Sequence, residues 1–187
     1  MYRKAVEDCQ AGIRINNEFA RIHKRHFKSL LALGRVQEAK SALDTSILLD
    51  PNAPTNVKDK DLINTVIHQL DMLQRFTNDE SDKDYDRAVV YCSNILTNCP
   101  ASVEHCALKC EYLLRSHQLK EASKFSNELG TNPDMANVPL IMCWRGRIVC
   151  YSGNETLGKQ MLTNAIRADP DLTDAMRTIK MLKNSAT

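Results

Sequence analysis

The sequence predicts an all-α fold built as a solenoid of antiparallel helix pairs. Three observations support this. Small residues recur inside apolar runs at intervals of 34 to 36 residues, prolines follow three of them after twelve positions, and no segment keeps a strand period of two. The small residues are Ala5 and Ala39, then Ala88, Ala122 and Gly158, and the prolines are Pro51, Pro100 and Pro170. Such a period is typical of stacked helix-turn-helix repeats, each buried by its neighbours. It predicts a binding surface rather than a reaction.

Residues 1–51 predict one helix followed by a complete repeat. The first helix covers Tyr2–Ile15 and has the pattern of the second helix of a pair. We therefore expect this chain to be part of a longer protein. The complete repeat consists of a helix over 18–33, ended by Gly34, and a helix over Val36–Leu49, ended by Asp50 and Pro51. Glycine and proline are the usual residues at such helix ends.

Residues 52–83 predict a lengthened connecting helix and an acidic loop. Asn56 is the predicted N-cap, and apolar residues then recur at helical spacing as far as Phe76. The interval from Ala39 to Ala88 is 49 residues, which is 15 more than one repeat of 34. We therefore expect this helix to be about four turns longer than usual. The run 78–84 is rich in acidic residues and is interpreted as a solvated loop.

Residues 84–187 predict a second repeat block that ends in a capping helix. The predicted helices cover 85–97, 102–116, 119–129, 138–151, Glu155–Ala168 and 172–183. In the last of these, the apolar residues expected to face the stack are Ala175, Ile179 and Leu182, and the cations expected to face solvent are Arg177, Lys180 and Lys183.

The repeat frame resembles the tetratricopeptide repeat (TPR), whose pattern has small residues at its eighth, twentieth and twenty-seventh positions and proline at its thirty-second. The final repeat matches at all four with Gly146, Gly158, Ala165 and Pro170. The first complete repeat matches with Ala39 and Pro51 and departs from the pattern at Phe27 and Ser46. The resemblance implies a right-handed superhelix of antiparallel helix pairs that binds other proteins.

The order of the segments is similar to that of the TPR region of DnaJ co-chaperones of the C subfamily. One block is followed by Asp-Pro-Asn at 50–52 and a lengthened helix, and the next block ends in Asp-Pro-Asp at 169–171 and a basic helix. The resemblance implies binding of a heat-shock chaperone's acidic C-terminal tail, of a non-native client segment, or of both. The His-Pro-Asp tripeptide of a J-domain is absent from this sequence. We expect a J-domain, if the protein has one, to follow this chain.

Composition excludes several classes of protein. The net charge is +2, with 43% hydrophobic and 26% charged residues, which is ordinary for a globular protein. No apolar run approaches a membrane span, and the first residues lack the apolar core of a signal peptide. We expect a cytoplasmic protein without a membrane partner, or an endoplasmic-reticulum protein if a signal lies upstream.

The seven cysteines follow no disulfide framework and favour a reducing compartment. Cys106 and Cys110 lie beside His105, but there is neither a paired C-x-x-C nor a pair of histidines at finger spacing. Packing of these cysteines in a core is the better interpretation, and we expect neither a metal nor a cofactor. Phosphate-binding loops and hydrolase or metalloprotease motifs are also absent, so we expect no catalysis.

Four cations in eight residues form a basic stretch on the first helix of the complete repeat: Arg21, Lys24, Arg25 and Lys28. Arg21 and Arg25 are four residues apart and share a helix face. The TPR resemblance implies that such a pair forms part of a clamp for a carboxylate, with Lys24 and Lys28 extending it. A solvated basic face is the alternative. Nucleic-acid binding is disfavoured, since the net charge is near neutral and aromatic residues make up only 5% of the chain.

A second candidate groove lies in the later block. Trp144, Arg147 and Tyr151 have the i, i+3, i+7 spacing that places side chains along one helix face, where they would contact an extended segment. Helix packing is the alternative for Trp144. At the level of the whole chain, the alternative to a co-chaperone module is a scaffold whose repeats bind folded partners.

Overall fold

The computed structural model describes residues 1–79 and 84–184, apart from the side chains of Asp174 and residues 180–184. The described residues form ten helices. They are α1 (Tyr2–Ile15), α2 (Ala20–Ala32), α3 (Val36–Leu49), α4 (Asn56–Asn78), α5 (Tyr85–Asn98), α6 (Val103–Arg115), α7 (Leu119–Thr131), α8 (Pro139–Tyr151), α9 (Glu155–Ala168) and α10 (Thr173–Asn184). The all-α prediction is confirmed, and the helix ends agree with the predicted ones to within two residues. The centre of the predicted acidic loop lies outside the described residues.

The predicted N-cap at Asn56 is wrong. Asn56 is the first residue of α4 and follows Thr55 at the cap position. Its side-chain amide donates hydrogen bonds to the carbonyl oxygens of Asp50 and Pro51, at 2.9 and 3.1 Å. The side chain therefore ties α4 to the preceding turn instead of accepting from its own helix.

The chain forms two compact units. Unit 1 contains residues 1–83 and 90–102, and unit 2 contains residues 84–89 and 103–187. The predicted division at residues 51 and 83 follows the repeat blocks and stays a prediction.

In unit 1, α2 packs against α1 and α3, and α3 packs against α4. The side chains of Phe27, Leu30 and Leu43 are at most 1% exposed, and Ala39 is fully buried. Phe27 occupies a position where the repeat pattern has a small residue. The first complete repeat therefore has a large aromatic side chain at the centre of its core.

The connecting helix α4 is long, as predicted, but its excess length is smaller than expected. Its 23 residues make α4 about 34 Å long, against about 20 Å for the 13 residues of α2. It is 10 residues, or about three turns, longer than α2, so the predicted excess of about four turns is too large. Within unit 1, the Ala101 N–H donates to the Ala32 carbonyl at 2.8 Å, beside the turn that ends α2.

In unit 2, α6 packs against α7 and α8, and α8 packs against α9, which contacts α10. A core cluster joins α8, α9 and α10, and its buried members are Cys143, Cys150, Leu162, Ala165 and Ala175. Ile179 packs against the same cluster, as predicted for the capping helix, whereas the side chains of Leu182, Lys180 and Lys183 lie outside the described residues.

The small residues of the final repeat are required by close packing of two helices. A Cβ atom on Gly158 would lie 2.7 Å from the Gly146 carbonyl oxygen and would collide with the Cys150 sulfur. Since a carbonyl oxygen cannot move without distorting its helix, α8 and α9 can approach this closely only with glycine at 158.

The turns that end α2, α6 and α8 share one backbone geometry. In each, the residue after the C-cap has a positive φ, which is 77° at Gly34, 58° at His117 and 96° at Gly153. The N–H groups of Gly34 and Arg35 donate to Leu31 and Leu30, which is the Schellman pattern. The same pair of bonds recurs at His117 and Gly153. His117 thus occupies a left-handed conformation that usually favours glycine.

All seven cysteines are buried and none forms a disulfide, as expected of packing residues. Burial raises the pKa of Cys99 to about 11 and that of Cys106 to about 12. Within the described part of the chain, no three His, Cys, Asp or Glu side chains converge as a metal site would need. None of the helices described has both the length and the apolarity to cross a membrane.

Candidate functional sites

The basic stretch of unit 1 lies on α2, and its two arginines are on the exposed side of the helix. Arg21 and Arg25 are exposed and four residues apart, while Phe27 and Leu30 anchor the buried face. No ion pair or hydrogen bond within the described ranges engages either guanidinium. The two charges that the sequence suggested for a carboxylate clamp are therefore available to a ligand.

Lys24 and Lys28 are held by an acid of α4. The Lys24 Nζ lies 2.9 Å from Asp59 Oδ2 and donates to the Thr55 hydroxyl, and the Lys28 Nζ lies 4.0 Å from Asp59 Oδ1. Asp59 is 5% exposed, which makes it a buried counter-ion in the first turn of α4. Lys24 is thereby committed to an internal contact, whereas the Lys28 side chain remains 59% exposed.

The two histidines of α2 do not enlarge the patch. His23 is buried and its Nε2 donates to the Asn17 carbonyl at 2.8 Å. Burial, followed by repulsion from His23 and Arg35, lowers the pKa of His26. Both effects disfavour a charged His26 at neutral pH, so the arginines and the exposed Lys28 provide the charge of this surface.

Unit 2 contains a cleft of about 470 Å³ between α6, the turn after it, and α8. Its lining residues are Glu111, Leu114 and Arg115 of α6, His117 of the turn, Leu119 of α7, and Trp144, Arg147 and Tyr151 of α8. All three residues of the second predicted groove therefore lie together in one cleft.

The α8 side of the cleft is a stacked pair. The Arg147 guanidinium carbon lies 4.2 Å from the centre of the Trp144 ring, within the range of a cation–π contact. Trp144 is 7% exposed, so its ring also packs between helices, whereas Tyr151 is 61% exposed. The buried Arg147 Nε has no hydrogen-bond acceptor. Stacking, rather than an ion pair, thus positions this cation.

The α6 side of the cleft carries an internally neutralised cation. The Arg115 guanidinium lies 2.6 Å from Glu111 Oε1 and donates to the Tyr85 hydroxyl at 3.3 Å. This hydrogen bond is the main cause of the raised pKa of Arg115. The Tyr85 ring stacks on Tyr112 with centroids 6.1 Å apart, which braces the network.

Four residues that line the cleft were not predicted from the sequence: Leu114, Arg115, His117 and Leu119. For His117 a signal was present, because it stands at the turn position that holds Gly34 and Gly153 in the other two repeats. A residue that tolerates backbone strain at a cleft is a recognisable hint of function.

Comparison with known proteins shows the fold. No family model matches the chain, and no curated protein sequence matches it significantly. Among solved structures, the crystal structure of the P58(IPK) TPR domain is similar with a TM-score of 0.68 at 17% identity, over 97% of this chain and 50% of that one. The chain thus spans about half the length of that structure.

A second solved structure is YrrB, a TPR protein with an unusual peptide-binding site. It is 17% identical over 94% of this chain and 100% of that one, with a TM-score of 0.45, which is too low to support an argument. The similarity to the P58(IPK) domain and the ten helices in the described residues establish one conclusion: the chain has the tetratricopeptide-repeat fold.

Proposed function

We propose that this chain is a protein-interaction module of a DnaJ-type co-chaperone, which binds the acidic C-terminal tail of a heat-shock chaperone, a non-native client segment, or both. Tail binding is assigned to Arg21 and Arg25. The observation that carries this assignment is the contrast within α2: its arginines are exposed and unpaired in the described residues, while Lys24 already has a counter-ion.

Guanidinium groups suit the recognition of a terminal carboxylate. The planar fork donates two parallel hydrogen bonds to a carboxylate, and its charge persists at all relevant pH values. Arg21 and Arg25 lie one helical turn apart, so two carboxylate groups of an extended acidic tail can each meet one guanidinium. Lys28 lies one further turn along α2 and adds positive charge beside this pair.

Fluorescence anisotropy with a labelled peptide ending in Glu-Glu-Val-Asp tests the proposal. We expect the free-acid peptide to bind, and we expect its C-terminal amide and the Arg21→Ala, Arg25→Ala double variant each to reduce affinity about tenfold or more. The matched control is Arg3→Ala, Arg14→Ala, which removes two exposed arginines of α1 in the same unit. Equal binding of acid and amide, or equal loss in the control, would refute the clamp.

The competing scaffold function predicts that folded partners bind without a free carboxylate. Nucleic-acid binding predicts a steep salt dependence with no preference between acid and amide. The same peptide pair, titrated at two salt concentrations, separates these functions from tail binding.

A further inference from the structure

We propose that the cleft of unit 2 binds a partner-protein segment in which a glutamate or aspartate stands beside a leucine or phenylalanine. Arg147 receives the carboxylate, and Trp144, Leu114 and Leu119 contact the apolar side chain. This inference rests on the proposed function only in taking the cleft as a site for a protein segment, and it does not depend on Arg21 and Arg25.

The argument for an acidic ligand starts from the charges in the cleft. Arg115 is neutralised by Glu111 at 2.6 Å. Arg147 has no carboxylate partner within the part of the chain that the structure describes, and its buried Nε has no acceptor. The cleft therefore retains one uncompensated positive charge on an orientated, partly desolvated guanidinium. A carboxylate supplies the missing negative charge and accepts from the terminal guanidinium nitrogens.

The argument for an apolar neighbour comes from the surfaces beside that charge. The Trp144 ring lies under the guanidinium, and Leu119, which is 40% exposed, lines the same cleft together with Leu114. An acidic residue alone would leave the exposed parts of Leu114 and Leu119 in water. A segment with adjacent acidic and apolar side chains would bury them and meet Arg147 at once.

The strained turn gives independent support. His117 adopts φ of 58° at the position where the other two helix-ending turns have glycine, and its side chain lines the cleft. Glycine would adopt this conformation at lower cost. The imidazole adds a polar group to the rim near Arg147, and Tyr151 adds an exposed hydroxyl on the α8 side. Both can donate hydrogen bonds to the backbone of an extended segment.

Trp144 makes the test direct, because it is the only tryptophan in the chain and lies in the cleft. The probe is the capped peptide acetyl-Gly-Leu-Glu-Phe-Gly-amide. Its binding to the unmodified protein is measured through the change in Trp144 fluorescence. A second peptide has glutamine in place of glutamate. We expect the glutamate peptide to bind about tenfold more tightly, as for a charge-assisted hydrogen bond. Equal affinities, or no change in fluorescence with either peptide, would overturn the proposal.

Variants then place the recognition on Arg147. We expect Arg147→Gln to lower the affinity of the glutamate peptide to that of the glutamine peptide, and Arg147→Lys to retain part of the preference. Arg167→Gln removes an exposed arginine of α9 and is the matched control. Unchanged discrimination in Arg147→Gln would overturn the assignment.

The capped probe separates this proposal from the tail clamp. It has no free C-terminal carboxylate, so failure of the clamp leaves its binding intact. If Arg21→Ala, Arg25→Ala abolished the glutamate preference while Arg147→Gln did not, recognition would belong to α2 and the proposal for the cleft would be wrong.

Discussion

The basic face of α2 and the cleft of unit 2 each combine a paired cation with an arginine that is unpaired in the described part of the chain, but the acid comes from a different place in each. On α2, an acid of another helix, Asp59, holds Lys24 and approaches Lys28, while the two arginines stay exposed. In the cleft, Arg147 rests on the Trp144 ring with no acidic partner among the described residues, while its neighbour Arg115 is paired. The number of cations in a stretch of sequence therefore does not measure the charge that it offers to a ligand. What decides is whether another side chain supplies the counter-ion, from a neighbouring helix for Lys24 and from the same helix for Arg115.

The largest effects on stability are expected from substitutions in the cores of the two units. We expect Leu43→Ala in unit 1 and Leu162→Ala in unit 2 each to cost about 2–5 kcal/mol, because both side chains are at most 1% exposed. Urea denaturation followed by Trp144 fluorescence reports on unit 2. Leu162→Ala should shift this transition more than Leu43→Ala, since each repeat is stabilised mainly by its nearest neighbours. Equal shifts would contradict this expectation.

Replacing the buried acid Asp59 should leave Lys24 of α2 without a carboxylate partner among the described residues, as Arg147 is in the cleft. Asp59→Asn leaves Lys24 without its counter-ion, and we expect a loss of roughly 1–2 kcal/mol, less than for a fully buried pair because the Lys24 side chain is still 19% exposed. The freed charge should raise the affinity for the acidic tail peptide several-fold. Denaturation and anisotropy measure the two effects. Asp61→Asn, an exposed site on the same helix, is the control and should show neither effect.

Substitutions at two equivalent turns measure the free-energy cost of the left-handed backbone conformation at His117. We expect His117→Gly to stabilise unit 2 by about 1 kcal/mol, because glycine accepts the left-handed backbone, and to weaken binding of the capped glutamate peptide. Gly153→His should cost a similar amount, since a Cβ atom there would meet no atom within 4 Å and the strain lies in the backbone. Thermal unfolding measures both variants. A loss of stability in His117→Gly would show that the imidazole stabilises the fold.

The smallest effect is expected from the exposed pair in the cleft. Glu111→Gln should change stability by less than about 1 kcal/mol, because the side chains of Glu111 and Arg115 are 27% and 52% exposed. It should nevertheless strengthen binding of the glutamate peptide several-fold by releasing Arg115. Glu155→Gln, which removes the partner of Lys159 on α9, is the matched control for the Trp144 titration. Unchanged peptide affinity in Glu111→Gln would mean that Arg115 does not face the ligand.

The helices could be predicted from the sequence because their signals are local. Periodic apolar residues set α1 at the predicted residues, and together with a glycine before and a proline after the helix they also set α3 and α9. Asn56 shows the limit of such signals, since an asparagine before an apolar run can accept from its own helix or donate to the previous turn. Only the path of the turn at Asp50 and Pro51 decides between the two.

The candidate sites were predictable in part for the same reason. Trp144, Arg147 and Tyr151 share one helix face, so their common location follows from helix geometry alone. The pairing of Lys24 with Asp59 joins residues 35 positions apart on different helices, and no local pattern contains it. The α6 wall of the cleft likewise depends on how α6 and α8 pack.

The buried cysteines allow local opening of each unit to be measured by thiol labelling. Cys9, Cys92 and Cys99 lie in unit 1, and Cys106, Cys110, Cys143 and Cys150 lie in unit 2. A thiol-specific reagent reacts with the exposed thiolate, and burial both shields Cys99 and Cys106 and raises their pKa. Labelling in native buffer must therefore wait for a local opening. Mass spectrometry of the labelled peptides would yield a separate opening free energy at each cysteine, without any substitution in the chain.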